Sequence, residues 1–392
     1  MRPIAWALGV LLLSSCATTP TSRGDLHASL LTLDTHLDTP VHFARAGWSF
    51  GERHTYANDL AQLDIPRMAD RGNLDGGFFV IFTDQGPLTA EGYAAAREFA
   101  FKRSDEIDAT VARFADRIAP ARTAADAPRL DTAGKLIAFK SIENAYPLGE
   151  DLSLLGEFHR RGVRLAGPVH SSNNQFADSA TDKPRWNGLS PLGVRWVAEM
   201  NRLGMVIDAS HASDAAFDQM LVQSKTPLLL SHSGSRTVFD HPRNLDDARI
   251  RNLAAAGGAI CYTTIYLAPL NMTPERAEVF GKHDKIGQMS PVEQADLIAR
   301  TRALDAKQAM WPVDFESYMA GLLHVIEVAG VDHVCLGADW DGGGGIAGLE
   351  DITAHPKITA RLKAAGYSDA DLAKIWSSNV LRVLAAAQAA QR

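Results

Sequence analysis

Short apolar runs rich in β-branched and aromatic residues recur along the chain. They stand at Leu30–Leu33, Gly77–Phe82, Leu136–Phe139, Val163–Ala166, Val206–Ile207, Leu228–Leu230, Ala259–Tyr262 and Val334–Leu336. Stretches of helical periodicity separate them: Leu60–Arg71, Tyr93–Ile118, Leu154–Arg161, Leu192–Leu203, Ala215–Val222, Ala248–Ala256 and Phe315–Ala329, with Ala370–Ala387 closing the series. Several of these helices start after a capping residue, as at Ser190-Pro191 and Ser213-Asp214, and several stop at glycine, at Gly162, Gly204, Gly257 and Gly330. Eight strands alternate with eight helices, and the strands are too apolar to be solvated on one face, so parallel βαβ units are expected. At this length the pattern predicts an α/β fold, a closed (β/α)8 TIM-type barrel with its site at the C-terminal ends of the strands. An open doubly wound sheet is the alternative. No Gly-rich phosphate loop follows the first strand, and the glycine run after Asp341 carries no Walker lysine, which weakens that alternative.

Composition changes the picture little. The chain has 392 residues, 46% hydrophobic and 22% charged, an ordinary globular balance. A net charge of −7 with no basic stripe argues against nucleic acid as a partner. The N-terminus stands apart: Met1-Arg2-Pro3, an apolar run from Ile4 to Leu13, then Leu13-Ser14-Ser15-Cys16. The run is too short to span a bilayer and suits a signal-peptide core. The residues that follow it resemble a bacterial lipoprotein signal. Residues 1–15 are therefore expected to be removed, Cys16 to carry lipid, and residues 16–25 to form a tether. The expected product is an exported protein anchored at a bacterial membrane and facing the periplasm, with residues 26–392 as a single catalytic domain. Cys261 and Cys335 lie in apolar stretches and are expected as buried free thiols, although export leaves a disulfide open.

Candidate chemistry gathers where such a barrel places its site. The first strand ends in Asp34-Thr35-His36-Leu37-Asp38, and side chains two apart on a strand point the same way. The third strand runs into Glu143, the fourth toward His170, the fifth toward His211, the sixth to His232 and the eighth to Asp339. Each alone is an ordinary polar residue, but six of eight strand ends carrying His, Asp or Glu at one face is a constellation. Imidazole and carboxylate without thiolate suit Zn²⁺, with Mn²⁺, Co²⁺ or Fe²⁺ as alternatives. The donors exceed the needs of one four-coordinate ion and match two ions sharing a carboxylate.

These segments resemble the membrane dipeptidase (renal dipeptidase) family. The likeness runs from Asp34-Thr35-His36-Leu37-Asp38 through Ser141-Ile142-Glu143-Asn144, His170-Ser171-Ser172-Asn173-Asn174 and Ile207-Asp208-Ala209-Ser210-His211. It continues through Ser231-His232-Ser233 and Pro242-Arg243-Asn244 to Gly337-Ala338-Asp339-Trp340-Asp341-Gly342. The resemblance implies two zinc ions per subunit, with His36 and Asp38 on one, His211 and His232 on the other, and Glu143 bridging both. It implies hydrolysis of dipeptides, L,L and also L,D, by a hydroxide shared between the metals. His170 would stabilise the oxyanion, Arg243 would hold the substrate's C-terminal carboxylate, and Asp339 would carry the proton. A homodimer is implied as well. Two features depart from the pattern. Ala268–Pro312 is a long charged insertion, expected as a lid or an altered pocket, and either Tyr262 or Tyr266 could take the family's substrate contact. Other metal amidohydrolases bridge their ions with a carbamylated lysine, for which Lys140 is the candidate here.

Overall fold

In the computed structural model, which describes residues 26–70 and 73–391, the apolar runs form nine strands. They are β1 (Leu33–Leu37), β2 (Gly76–Phe82), β3 (Ile118–Pro120), β4 (Leu136–Glu143), β5 (Val163–Ala166), β6 (Val206–Ile207), β7 (Leu229–Ser233), β8 (Ala259–Tyr262) and β9 (Val334–Leu336). Two parallel sheets result, in the orders β1-β2-β4-β5-β6 and β7-β8-β9. Parallel bridges Asp208–Leu229 and Leu37–Trp340 join them. Backbone hydrogen bonds of 2.8 Å, from Ala209 N to the Leu229 carbonyl and from Asp38 N to the Trp340 carbonyl, complete the two seams. Eight strands thus close in a ring, the expected barrel. Residues 1–25, with the signal, Cys16 and the tether, lie outside the described residues. No helix among the described residues is long and apolar enough to cross a membrane.

The differences from the sequence expectation have local causes. Strand β1 continues past its apolar run to Leu37, in line with the strand end read at Asp34–Asp38, because its polar positions find partners inside the fold. Thr35 Oγ1 donates to the carbonyls of Ser231 and Leu336, and Asp34 accepts from the backbone N–H groups of His36 and Ala338. Strand β3 was expected as the end of a helix. That helix stops at Arg113, and Ile118–Pro120 instead pairs with Leu136–Ala138 of β4. The closing helix is interrupted by a π turn at Lys374–Ser378, where Trp376 Nε1 donates to Thr359 and Asn379 Nδ2 to the carbonyls of Val331 and Val334. A further helix, His355–Ala364, precedes it. Ser190 and Ser213 cap their helices as expected.

The barrel lumen and its outer shell are separate cores. Phe139 and Glu143, four apart on β4, face the same side. With Phe139 cluster Leu33, Phe78, Ile137, Leu165, Val206 and Leu229, closed off by Val380, Val383 and Leu384 of the helix Asn379–Ala389. That packing fills the N-terminal half of the lumen and leaves polar side chains at the other end. Cys261 and Cys335, register partners in β8 and β9, belong to the same core and are joined as a disulfide, not free thiols. Adjacent parallel strands bring the two side chains together, a juxtaposition that 74 residues of separation conceal in sequence.

Candidate active site

Six polar side chains converge above that packed lumen: His36, Asp38, Glu143, His211, His232 and Asp339, all buried. The two oxygens of Glu143 face different partners. Oε1 lies 2.8 Å from His211 Nε2 and 3.3 Å from His232 Nε2, while Oε2 lies 3.6 Å from His36 Nε2. His36 Nε2 is also 3.3 Å from Asp38 Oδ2 and 3.7 Å from Asp339 Oδ1. Donor atoms that can share a cation therefore fall into overlapping groups, His36–Asp38–Glu143, Glu143–His211–His232 and His36–His232–Asp339. His36 Nε2 is buried without a hydrogen-bond partner, and the Nε2 atoms of His211 and His232 approach to 2.9 Å. Bare imidazole nitrogens turned toward one another and toward carboxylates are the donor set a cation needs.

The electrostatics agree. Burial, with the charges of Arg243 and His170, holds His211 well below the ordinary imidazole range; burial and His36 do the same for His232, so both stay neutral as metal ligation requires. Burial opposes charge on His36, but Glu143 and Asp38 outweigh it and raise its pKa. Burial beside Asp38 and Glu143 pushes Asp339 well above the usual carboxylate range.

Backbone geometry serves the same end. His211 and Asp339 adopt left-handed conformations, φ 67° and 66°, which β-carbon-bearing residues rarely take and which cluster at functional sites. Both fall in the turns just past β6 and β9, where that conformation aims the side chain back over the lumen. Gly342 is forced by contact: a β-carbon there would collide with the carboxylates of Asp38 and Asp339.

His170 sits at the mouth, its side chain 30% exposed and its Nε2 3.9 Å from Glu143 Oε1. Arg243 is buried to 3% exposure. Its NH1 and NH2 donate to Ser233 Oγ and the His232 carbonyl, Nε has no partner, and no carboxylate among the described residues pairs with it. Its guanidinium stands 5.8 Å from the centre of the Tyr266 ring. Tyr266 lines the cavity over the ligands, whereas Tyr262 is fully buried against Tyr318. Lys140 turns away from the site to bond Asp108 and Ser104, which leaves Glu143 at the centre.

Sequence reasoning missed the groups behind the clustered histidines. Asp208 accepts the Ser231 hydroxyl proton, so Ser231 Oγ accepts in turn from His232 Nδ1 at 2.8 Å and stands 3.3 Å from His36 Nδ1. The insertion also lies where a lid should. Its helices, Pro274–His283 and Pro291–Lys307, pack on Val41, and Phe280, Asp284 and Trp311 from this segment line the 150 Å³ cavity over the ligands.

Comparison with known proteins gives a consistent result. The family model described as membrane dipeptidase (peptidase family M19) matches residues 22–392. The dipeptidase tcpJ of Claviceps purpurea is 30% identical over 353 residues, covering 88% of this chain and 74% of the relative. Among solved structures, the probable dipeptidase PvdM from Pseudomonas aeruginosa superposes with a TM-score of 0.79 at 28% identity, covering 93% of this chain and 97% of the other. The dipeptidase AC, a metallo peptidase, gives 0.73 at 25% identity, with coverage of 92% and 99%.

Proposed function

Because the chain belongs to the membrane dipeptidase family (peptidase family M19), we propose that it is a two-zinc enzyme cleaving L,L- and L,D-dipeptides at the site built around Glu143. The observation that carries this reading is the division of the Glu143 carboxylate, one oxygen toward His211 and His232 and the other toward His36. A carboxylate so placed would hold two ions at once, one together with His36 and Asp38 and one together with His211 and His232. Bound there, the two ions would lower the pKa of a water toward neutrality and polarise the scissile carbonyl.

The protein's own groups supply the rest. Arg243 carries a buried positive charge with no carboxylate partner among the described residues, a cost that a substrate's C-terminal carboxylate would offset through charge-assisted hydrogen bonds. His170, partly exposed at the mouth, donates from Nε2 to the carbonyl oxygen as it gains negative charge. Asp339 takes a proton from the attacking water on Oδ1 and returns it to the leaving amine. Export, read from residues 1–15, is supported by the Cys261–Cys335 disulfide.

The test is metal content measured together with hydrolysis of L,L- and L,D-dipeptides and their C-terminal amides. Two zinc ions per chain are expected, with loss of metal and turnover in His211→Ala. The amides should be poorer substrates by roughly ten- to a hundredfold, the worth of a hydrogen bond to a charged group. A single metal, or equal turnover of acids and amides, would overturn the reading.

A further inference from the structure

Beside the metal centre lies a second and larger cavity, 380 Å³ against 150 Å³. Asp38, Phe82 and Asp284 line both, so the two meet at the ends of β1 and β2. Arg243 stands on the other side of the ligands, after β7. A dipeptide whose carboxylate lies at Arg243 and whose carbonyl lies over Glu143 points its N-terminal residue at this junction.

The walls of the second cavity are apolar, with Val41, Val80, Phe82 and Phe99 among them. Polar and charged residues interrupt them, and one of these stands out. Arg103, from the helix Ala90–Arg113, is 6% exposed, and no hydrogen bond is made by its guanidinium among the described residues. It lies over the Phe99 ring at 5.3 Å, and its one ion pair, Nε to Glu106 Oε2 at 3.3 Å, leaves the terminal nitrogens unanswered. Those terminal nitrogens belong to a residue lining the cavity, where an entering carboxylate can accept from them.

We propose that this cavity receives the side chain of the substrate's N-terminal residue, and that Arg103 selects a long side chain ending in a carboxylate, glutamate being the simplest. The proposal rests on the dipeptidase reading above and adds the substrate class. Other charges on the lining do not cancel the preference. Asp84 is answered by Lys285 at 3.1 Å. Asp284 stands at the junction beside Asp38, where the α-ammonium of the same residue would pass. Planar, bidentate recognition of carboxylate is what arginine provides and lysine does not. Lys285, Gln288 and Asp284, from the insertion, line the cavity together with the helix that carries Arg103.

The experiment compares kcat/KM for L-Glu-L-Ala, L-Gln-L-Ala, L-Leu-L-Ala and L-Ala-L-Ala, using the zinc-loaded full chain and its Arg103→Met variant. Glutamate and glutamine differ only in charge and hydrogen-bonding ends, so their ratio isolates Arg103. The wild type is expected to favour Glu-Ala over Gln-Ala by on the order of tenfold, mainly through KM, and R103M should bring that ratio toward one. A structural role alone would lower both substrates together and leave the ratio in place. A wild-type ratio near one overturns the proposal without any variant, as does an unchanged ratio in R103M. Failure to cleave all four dipeptides would instead remove the dipeptidase reading, and this inference with it.

Discussion

The carboxylate of Asp208 receives the backbone N–H groups of Ser210 and Ser231 on one oxygen and the Ser231 hydroxyl on the other. With its own proton committed, Ser231 can only accept from His232 Nδ1–H, and the ring must present Nε2 as a lone pair toward Glu143. Such outer groups fix the tautomer of a ligating histidine, and losing one typically costs ten- to a hundredfold in metal affinity. Asp208→Asn should therefore weaken zinc by about that factor in a competitive chelator titration, while its circular dichroism matches the parent. Undiminished affinity would show that the relay plays no part in holding the ion. The six clustered side chains were legible in sequence because strand ends concentrate such residues at one face. Asp34, Asp208 and Ser231 were not, since a polar residue beside a ligand reads the same whether it supports that ligand or merely faces solvent. Arg243 needed the family resemblance; its surrounding loop alone favours a surface ion pair.

At the scale of elements, β8 and β9 are tied twice, by their ladder and by the Cys261–Cys335 bond. The bond closes a loop with a sequence separation of 74 residues, for which the chain-entropy argument gives about 4 kcal/mol. Both sulfurs are buried in the lumen core, so reduction leaves them packed and mainly frees the unfolded chain. The unfolding free energy from denaturant titration should fall when the titration is run in reductant, by an amount approaching that figure, and the midpoint should fall with it. Matching midpoints, or two reactive thiols in protein unfolded without reductant, would contradict the bond. Strand positions were legible from apolar runs because a barrel buries both faces of each strand. The apolar runs alone stop short of the ends of β1, β4 and β7; only the polar segments read beyond them, Asp34–Asp38, Glu143 and His232, reach those ends, through residues whose partners lie on other strands, as with Thr35 and Ser231. The lid helices escaped the reading for a related reason. Their segment's apolar residues Val279, Ile286, Leu297 and Leu304 gather in one small cluster with Val41, and ion pairs Arg276–Asp305 and Arg300–Glu278 join the two helices, so the charged stretch shows little periodicity.

Across the whole molecule, one buried network ties chain segments far apart in sequence. His27 bonds Thr359 and the Asn73 carbonyl, His355 donates from Nδ1 to that same carbonyl, and Trp340 Nε1 donates to His355 Nε2 at 3.3 Å. Trp376 joins through Thr359. With Nε2 accepting and Nδ1 donating, His355 must be neutral, and burial, aided by the charge of nearby His27, lowers its pKa to about 3. The unfolded chain protonates this ring near pH 6.5. Above that value both states are neutral and the contribution to stability is complete. As pH falls from 6.5 toward 3, the unfolded state takes a proton that the folded state refuses. Stability should then drop by up to about 1.4 kcal/mol per pH unit from this ring alone. His355→Gln keeps a donor and an acceptor but cannot titrate. Other groups act equally on both chains, so the gap between their unfolding free energies should shrink steadily from pH 7 to pH 4. Parallel pH profiles for parent and variant would mean that His355 already carries its proton inside the fold, and that the Trp340 bond does not form as described.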